Sequence, residues 1–430
     1  MKKAAVVRQL GGPDHRLQGH SSTDTLADAV LRATDALMKS TTGVRHRGVG
    51  LASHGCVPNR AAGQGQEIHV TVNRRQIIAT GTAALAFPGI ARASARRTAD
   101  RAAGMLLMGF IGDNPDAEGA DIVADHLANG RIGGVLFLRH NVRSREGAEG
   151  LAARFREIAP DAFLALDQEG GAVQRLNGDL GYTPVPRAHV LAQAQSPSQA
   201  EETYRMAARE FTAAGFNMNL APVADVQDDA NGVIGRWGRG YGTDGETIAA
   251  YAGAFIDAFE AEGAVCAVKH FPGHGRSTGD SHEGFVDISQ SWSENELDPF
   301  ERLIEQRKAH LIMGGHLIHR GLDPSGDPVT LSRPILHELL RGRMGYRGAV
   351  ITDDLDMGAI REHYDQREAV IRSLIAGNDI IMMSNSAAPD PALPQKFARW
   401  VEEAVEEGRL SEQRVNRSLA RIETLNRIAR

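Results

Sequence analysis

From residue 96 onward, short apolar runs alternate with stretches of helical periodicity. Eight runs fit strands: MLLMGF (105–110), GGVLFL (133–138), AFLALD (162–167), NMNLAPV (217–223), AVCAVKH (264–270), HLIMGG (310–315), GAVITDD (348–354) and NDIIMM (378–383). Several are continuously apolar, as parallel strands buried on both faces must be. Amphipathic segments such as residues 201–214 and 247–262 lie between them. Residues 394–430 read as two closing helices, parted at Gly408, with Ser411 as the N-cap of the second. Eight strands with intervening helices predict an α/β architecture, a single (β/α)8 TIM barrel over residues 96–430. There is no sign of a second folded domain or of an internal repeat.

Polar residues gather at the carboxyl ends of these strands. Asp167 ends the third, Asn219 lies in the fourth, Lys269 and His270 end the fifth, and Asp353 and Asp354 end the seventh. In a barrel these ends open on one face, where the active site belongs. A single buried charge can be a satisfied core group, but charged ends on several strands are hard to explain by packing alone.

Charge changes the picture at the amino end. Across 430 residues the chain nets −6, yet residues 1–95 carry 12 Lys or Arg against 5 Asp or Glu, a net of +7, leaving −13 for the rest. Arg74-Arg75 precede a weakly apolar stretch, residues 77–90, and Ala93-Ser94-Ala95 follow with small residues at A-x-A spacing. That order predicts a twin-arginine export signal over residues 73–95, hence an exported, periplasmic or secreted protein that engages the twin-arginine machinery as a precursor. Residues 1–72 then read as a misassigned start or a disordered leader. The plainer alternative is a cytoplasmic protein with a disordered appendage.

With 42% hydrophobic and 24% charged residues, the whole chain has ordinary globular composition. No basic excess points to nucleic acid. The two cysteines, Cys56 and Cys266, exclude a disulfide scaffold and a Cys-rich zinc site, and no run approaches the ~18 apolar residues of a membrane span.

The richest chemistry lies in KHFPGHGRSTGDSH, Lys269 to His282. Its glycines and proline predict a mobile loop. Asp280 and His282, two residues apart, suit a carboxylate-oriented imidazole that shuttles protons near neutral pH. A metal site on His270, His274 and His282 ranks below this, since the spacing is no recognised ligand pattern. In GYRGAVITDDLDM, alternation puts one of Asp353 and Asp354 toward the barrel mouth and the other away, with a helix N-cap as the structural role for Asp354. LDQEGGAVQRL places Asp167 and Arg175 on one loop, where Asp accepts from paired hydroxyls and Arg donates; a structural ion pair is the alternative. VIGRWGRGYGTD supplies Arg236, Trp237 and Arg239.

These residues resemble glycoside hydrolase family 3, specifically its single-domain bacterial β-N-acetylglucosaminidases. The likeness runs from about Ala103 to the carboxyl end, on LDQEGGAVQRL, NMNLAPVADV, KHFPGHG with DSH, PVTLS, GYRGAVITDDLDM and AGNDIIMM. The resemblance implies Asp353 as nucleophile and His282 with Asp280 as acid/base. It implies sugar contacts from Asp167, Arg175, Lys269, His270 and an arginine of the GRWGRGYG element, Arg239 or else Arg236. Arg276 stands where relatives often carry Asp, and GRWGRG is two residues longer than usual, as in β-glucosidases of the family.

The expected activity is therefore a retaining exo-β-N-acetylhexosaminidase acting on a small carbohydrate, terminal β-linked N-acetylglucosamine of peptidoglycan fragments or chitooligosaccharides. It would work as a monomer, with no metal and no organic cofactor. The alternatives are a family 3 β-glucosidase and a catalytically dead sugar-binding barrel.

Overall fold

The computed structural model describes residues 88–228, 232–277, 279 and 284–430. The leader at 1–72, most of the expected signal and the Asp280/His282 pair lie outside the described residues.

Eight strands form the barrel: β1 (Leu106–Gly109), β2 (Gly134–Leu136), β3 (Phe163–Leu166), β4 (Met218–Asn219), β5 (Val265–Phe271), β6 (Leu311–Gly314), β7 (Ala349–Thr352) and β8 (Ile381–Met383). Each falls inside one of the apolar runs, save that β5 continues one residue past its run to Phe271, and every residue in them is buried. Strands β1 to β7 pair in parallel in chain order, β8 pairs beside β1, and a parallel bridge from Ile351 to Ile380 brings β7 against the start of β8. The ring is a (β/α)8 barrel. Gly134 is needed in β2 because a Cβ there would sit 2.5 Å from the Phe163 carbonyl oxygen of the neighbouring strand.

Helices cover the outside. In chain order they include α1 (Pro88–Ala102), α2 (Glu118–Ala128), α3 (Arg145–Ile158), α4 (Pro197–Ala213), α5 (Gly245–Glu260), α6 (Asp298–Glu305), α7 (Gln366–Ala376), α8 (Leu393–Glu406) and α9 (Glu412–Ile428). Ser196 and Gln199 form a capping box at the start of α4, and Ser411 caps α9 by accepting from Arg414 N, as its sequence position predicts. Among the described residues no helix is long and apolar enough to cross a membrane. Cys266 is a buried free thiol in β5.

The boundary expected between residues 95 and 96 falls inside α1. Ala95, Thr98, Ala99 and Ala102 repeat at i, i+3, i+4 and i+7, all are buried, and the helix packs on α8 and α9. Of the small residues that suit a cleavage site, Ala95 belongs to this buried stripe, while Ala93 is exposed.

Candidate active site

The site grows from the loop after β3. Asn219 at the end of β4 fixes that loop from below: its Oδ1 accepts from Gln168 N at 3.1 Å and its Nδ2 donates to Gln168 O at 3.2 Å. The chain then doubles back as a short antiparallel hairpin, Gln168–Gly170 against Val173–Gln174, through Gly170 and Gly171 at φ +103° and +55°. The hairpin returns Arg175 to Asp167, where Nη2 lies 3.2 Å from Oδ2.

Strand β5 delivers the opposing cation. Lys269, its side chain 3% exposed, donates to Asp167 Oδ1 at 2.7 Å and lies 2.8 Å from Glu169 Oε1. Arg239 grips Glu169 from the other side with two bonds, Nε to Oε2 at 2.8 Å and Nη2 to Oε1 at 2.7 Å. The result is a network of two carboxylates and three cations. Burial pushes the Asp167 carboxyl up, but Lys269 and then Arg175 outweigh it, holding the group well below the usual carboxylate range. Glu169 behaves alike, with Arg239 and then Lys269 overcoming burial. Burial acts to lower the Lys269 ammonium, and the two carboxylates instead leave it raised. Asp167, Glu169 and Lys269 are thus ionised near neutral pH, and Asp167 keeps lone pairs for paired hydroxyls.

His270 follows Lys269. Its Nδ1 lies 2.7 Å from Asp225 Oδ2, a contact in which the ring N–H donates, leaving Nε2 for a ligand. Asp225 is fully buried, and its Oδ1 also accepts from the backbone N–H groups of His270 and His274 at 3.1 and 2.8 Å. Farther along, Glu296 Oε2 accepts from Gly275 N at 3.1 Å, which anchors the KHFPGHG loop from α6's approach segment.

Asp353 stands one residue beyond β7. Its N–H donates to Gly314 O of β6 at 3.2 Å and its Oδ1 accepts from Asp354 N at 2.8 Å. Both aspartates line the cavity, so the expectation that one turns away is corrected: the strand ends at Thr352 and alternation no longer applies. Nor does Asp354 cap a helix. Its Oδ1 accepts from Asp356 N at 3.0 Å and Ser384 N at 2.8 Å, which pins the loop after β7 to the end of β8. Burial, then the Asp356 charge, pushes Asp354 up to about 6.

These ends enclose a cavity of about 350 Å³ lined by Asp167, Arg175, Lys269, His270, Asp353 and Asp354, over an apolar floor that includes Leu136, Met313 and Met382. Six of the residues singled out in the sequence therefore meet in one place. Arg239 does not line the cavity; it acts through Glu169 on Lys269. Arg236 is on the exterior, stacked at 5.3 Å on the exposed Trp237. Sequence reasoning passed over Glu169, Asp225 and Glu296. The first two lie within the very stretches quoted, LDQEGG and APVADV, but nothing in a linear pattern says which carboxylate faces which cation.

Comparison with known proteins gives the family. The glycosyl hydrolase family 3 N-terminal domain matches residues 103–425. A β-hexosaminidase of Pseudomonas aeruginosa (strain LESB58) is 34% identical over 266 residues, 61% of this chain and 78% of the relative. The β-hexosaminidase LpqI of Mycobacterium tuberculosis (strain ATCC 25618 / H37Rv) is 36% identical over 271 residues, 61% of this chain and 67% of the relative. Among solved structures, a glycoside hydrolase family 3 β-N-acetylglucosaminidase from Paenibacillus sp. str. FPU-7 superposes with a TM-score of 0.69 at 31% identity, over 77% of this chain and 62% of that longer one. With a matching barrel, a matching domain and a strand-end carboxylate site, the chain is a glycoside hydrolase and belongs to glycosyl hydrolase family 3.

Proposed function

We propose that this chain is a retaining exo-β-N-acetylhexosaminidase that removes terminal β-linked N-acetylglucosamine from peptidoglycan fragments or chitooligosaccharides. The observation that carries the reading is the meeting of Asp353 with the Asp167–Lys269–Arg175 network in one cavity. The network would grip sugar hydroxyls and fix the ring against Asp353. Asp353 Oδ would attack the anomeric carbon, forming a glycosyl-aspartate as the leaving oxygen takes a proton from His282. Water, deprotonated by the same imidazole, would then release the sugar with retention. Asp280 would orient His282. A histidine acid in place of the second carboxylate leaves a less negative site beside Asp353 during the first step. The relatives named β-hexosaminidase support the choice of sugar.

The purified enzyme should turn over nitrophenyl N-acetyl-β-glucosaminide far better than nitrophenyl β-glucoside. The reverse preference would make it a β-glucosidase, and binding of N-acetylglucosamine without turnover of either would make it a sugar-binding barrel. We also propose export through the twin-arginine route, on the strength of Arg74-Arg75, the apolar stretch and Ala93-Ser94-Ala95.

A further inference from the structure

At the opposite, amino-terminal mouth of the barrel lies a second cavity, of about 450 Å³, whose charge is unbalanced. Behind its lining lies Asp379, which precedes β8 and is fully buried. Three guanidiniums share this one carboxylate: Arg341 Nη2 at 2.7 Å, Arg414 Nη1 at 3.1 Å and Arg421 Nη1 at 3.1 Å. Val350 N and Ser418 Oγ donate to it as well, at 3.0 and 2.6 Å. The carboxylate has no acceptor capacity to spare, and two of the three positive charges have no matching negative one in the cluster. Burial, and then the neighbouring guanidiniums, hold Arg341 and Arg414 below the usual arginine range in spite of Asp379.

The rim repeats the sign. Arg333, Arg409 and Arg417 line the same cavity, and among the described residues its lining includes no Asp or Glu. Arg333 and Arg409 have outward partners, Glu338 and Glu368. His337 at the rim is held below its usual range by burial and then by Arg333 and Arg341. Arg341 spans the Gly348 and Gly377 carbonyls at 2.9 and 3.3 Å, while Arg414 Nη2 donates to Asn378 O at 2.6 Å and Arg421 Nε to Arg347 O at 3.3 Å, which ties α9 to the barrel; these carbonyls satisfy donors but neutralise no charge, so two positive charges remain in excess. The surplus guanidiniums have planar forks that match the oxygens of a phosphoryl group in geometry and charge.

We propose that this amino-terminal cavity is a binding site for a phosphate group, carried either as inorganic phosphate or on a small organic phosphate, with Arg414, Arg417 and Arg421 as its principal donors. The site is remote from Asp353, so the proposal stands apart from the glycosidase reading. Isothermal titration with inorganic phosphate and, separately, with glycerol 3-phosphate, at constant ionic strength set by chloride, tests it. Saturable binding of either is expected, and the tighter of the two identifies the source. Arg417→Glu, at an exposed position with a fold judged by circular dichroism, should weaken that binding about tenfold or more, the loss of one charge-assisted contact. Arg427→Glu, on the same helix but outside the cavity, should leave it unchanged, and neither variant should alter turnover of the nitrophenyl substrate. No saturable binding of either phosphate overturns the proposal. So does equal weakening by Arg427→Glu, which would mean diffuse surface charge, or binding untouched by Arg417→Glu.

Discussion

Lys269 Nζ sits 2.8 Å from Glu169 Oε1, across the top of the barrel from the loop after β3 to the end of β5, with both side chains nearly inaccessible to water. Glu169 never reaches the cavity wall, yet it holds the two cations, Lys269 and Arg239, behind the cavity-lining Asp167. Removing one partner of such a buried pair strands the others. Glu169→Ala should therefore cost about 3–5 kcal/mol of stability and raise KM, while Glu169→Gln, which keeps an acceptor, should recover part of both. Urea unfolding and steady-state kinetics measure the two effects. Arg236→Ala, on the exterior, should change neither, and a KM rise there would move the sugar contact from the Arg239 side of the loop.

Asp353→Ala should abolish turnover while leaving the melting temperature close to that of the parent, because the side chain projects from a strand end into a cavity and supports no core packing. A mechanism-based fluorosugar should label Asp353, read by peptide mass spectrometry. Label on Asp354 instead would reassign the nucleophile. Asp354→Ala is expected to act differently, loosening the loop between β7 and β8 by freeing the Asp356 and Ser384 amides.

His282→Ala should slow natural disaccharides far more than aryl glycosides with acidic leaving groups, since a good leaving group needs little protonation. The gap should reach about 10²–10⁴-fold, the usual worth of general acid catalysis. Asp280→Asn should show the same pattern more mildly. Equal losses on both substrate types would remove His282 from the acid role.

His274 offers a pH test of the loop. It is 3% exposed, and among the described residues neither ring nitrogen has a hydrogen-bond partner. Burial, then the charge of His270, lowers it to about 4. The folded group thus binds its proton less readily than the unfolded one, with its ordinary value of 6.5. Its contribution to stability is fully present above pH 6.5 and is lost as pH falls from 6.5 toward 4, by roughly 3 kcal/mol in all. His274→Leu should remove that slope. Denaturation midpoints of parent and variant at pH 7.5 and 4.5 compare them directly; parallel losses in both proteins would show that His274 does not titrate in this way.

Export has its own measurement. Amino-terminal sequencing of the enzyme from its native cell should find a start near residues 93–98, and replacing Arg74 and Arg75 by Lys should hold the precursor inside. A protein that begins at Met1 and stays in the cytosol would refute the signal. A start at Arg96 has a structural consequence: it removes Ala95 from the buried stripe of α1 but keeps Thr98, Ala99 and Ala102 against α8 and α9.

The sequence alone determined the strands, the closing helices with the Ser411 cap, and the cluster Asp167, Arg175, Lys269, His270 and Asp353. It could do so because parallel strands buried on both faces must be written as continuous apolar runs, and a charge at the end of such a run has only the barrel mouth to go to. Tertiary structure alone decided the partners. Arg239 finds Glu169 across 70 positions of chain, and His270 finds Asp225 across 45. Such pairs are made by closure of the ring, which brings distant strand ends within hydrogen-bond reach, and no local pattern encodes them. Closure also decided where Asp354 points, since one of its amide partners, Ser384, lies just past β8, and gave Ala95 a packing role. Ala95 reads equally well as the end of a signal or as part of the face of a docked helix until the helices it docks against are in place.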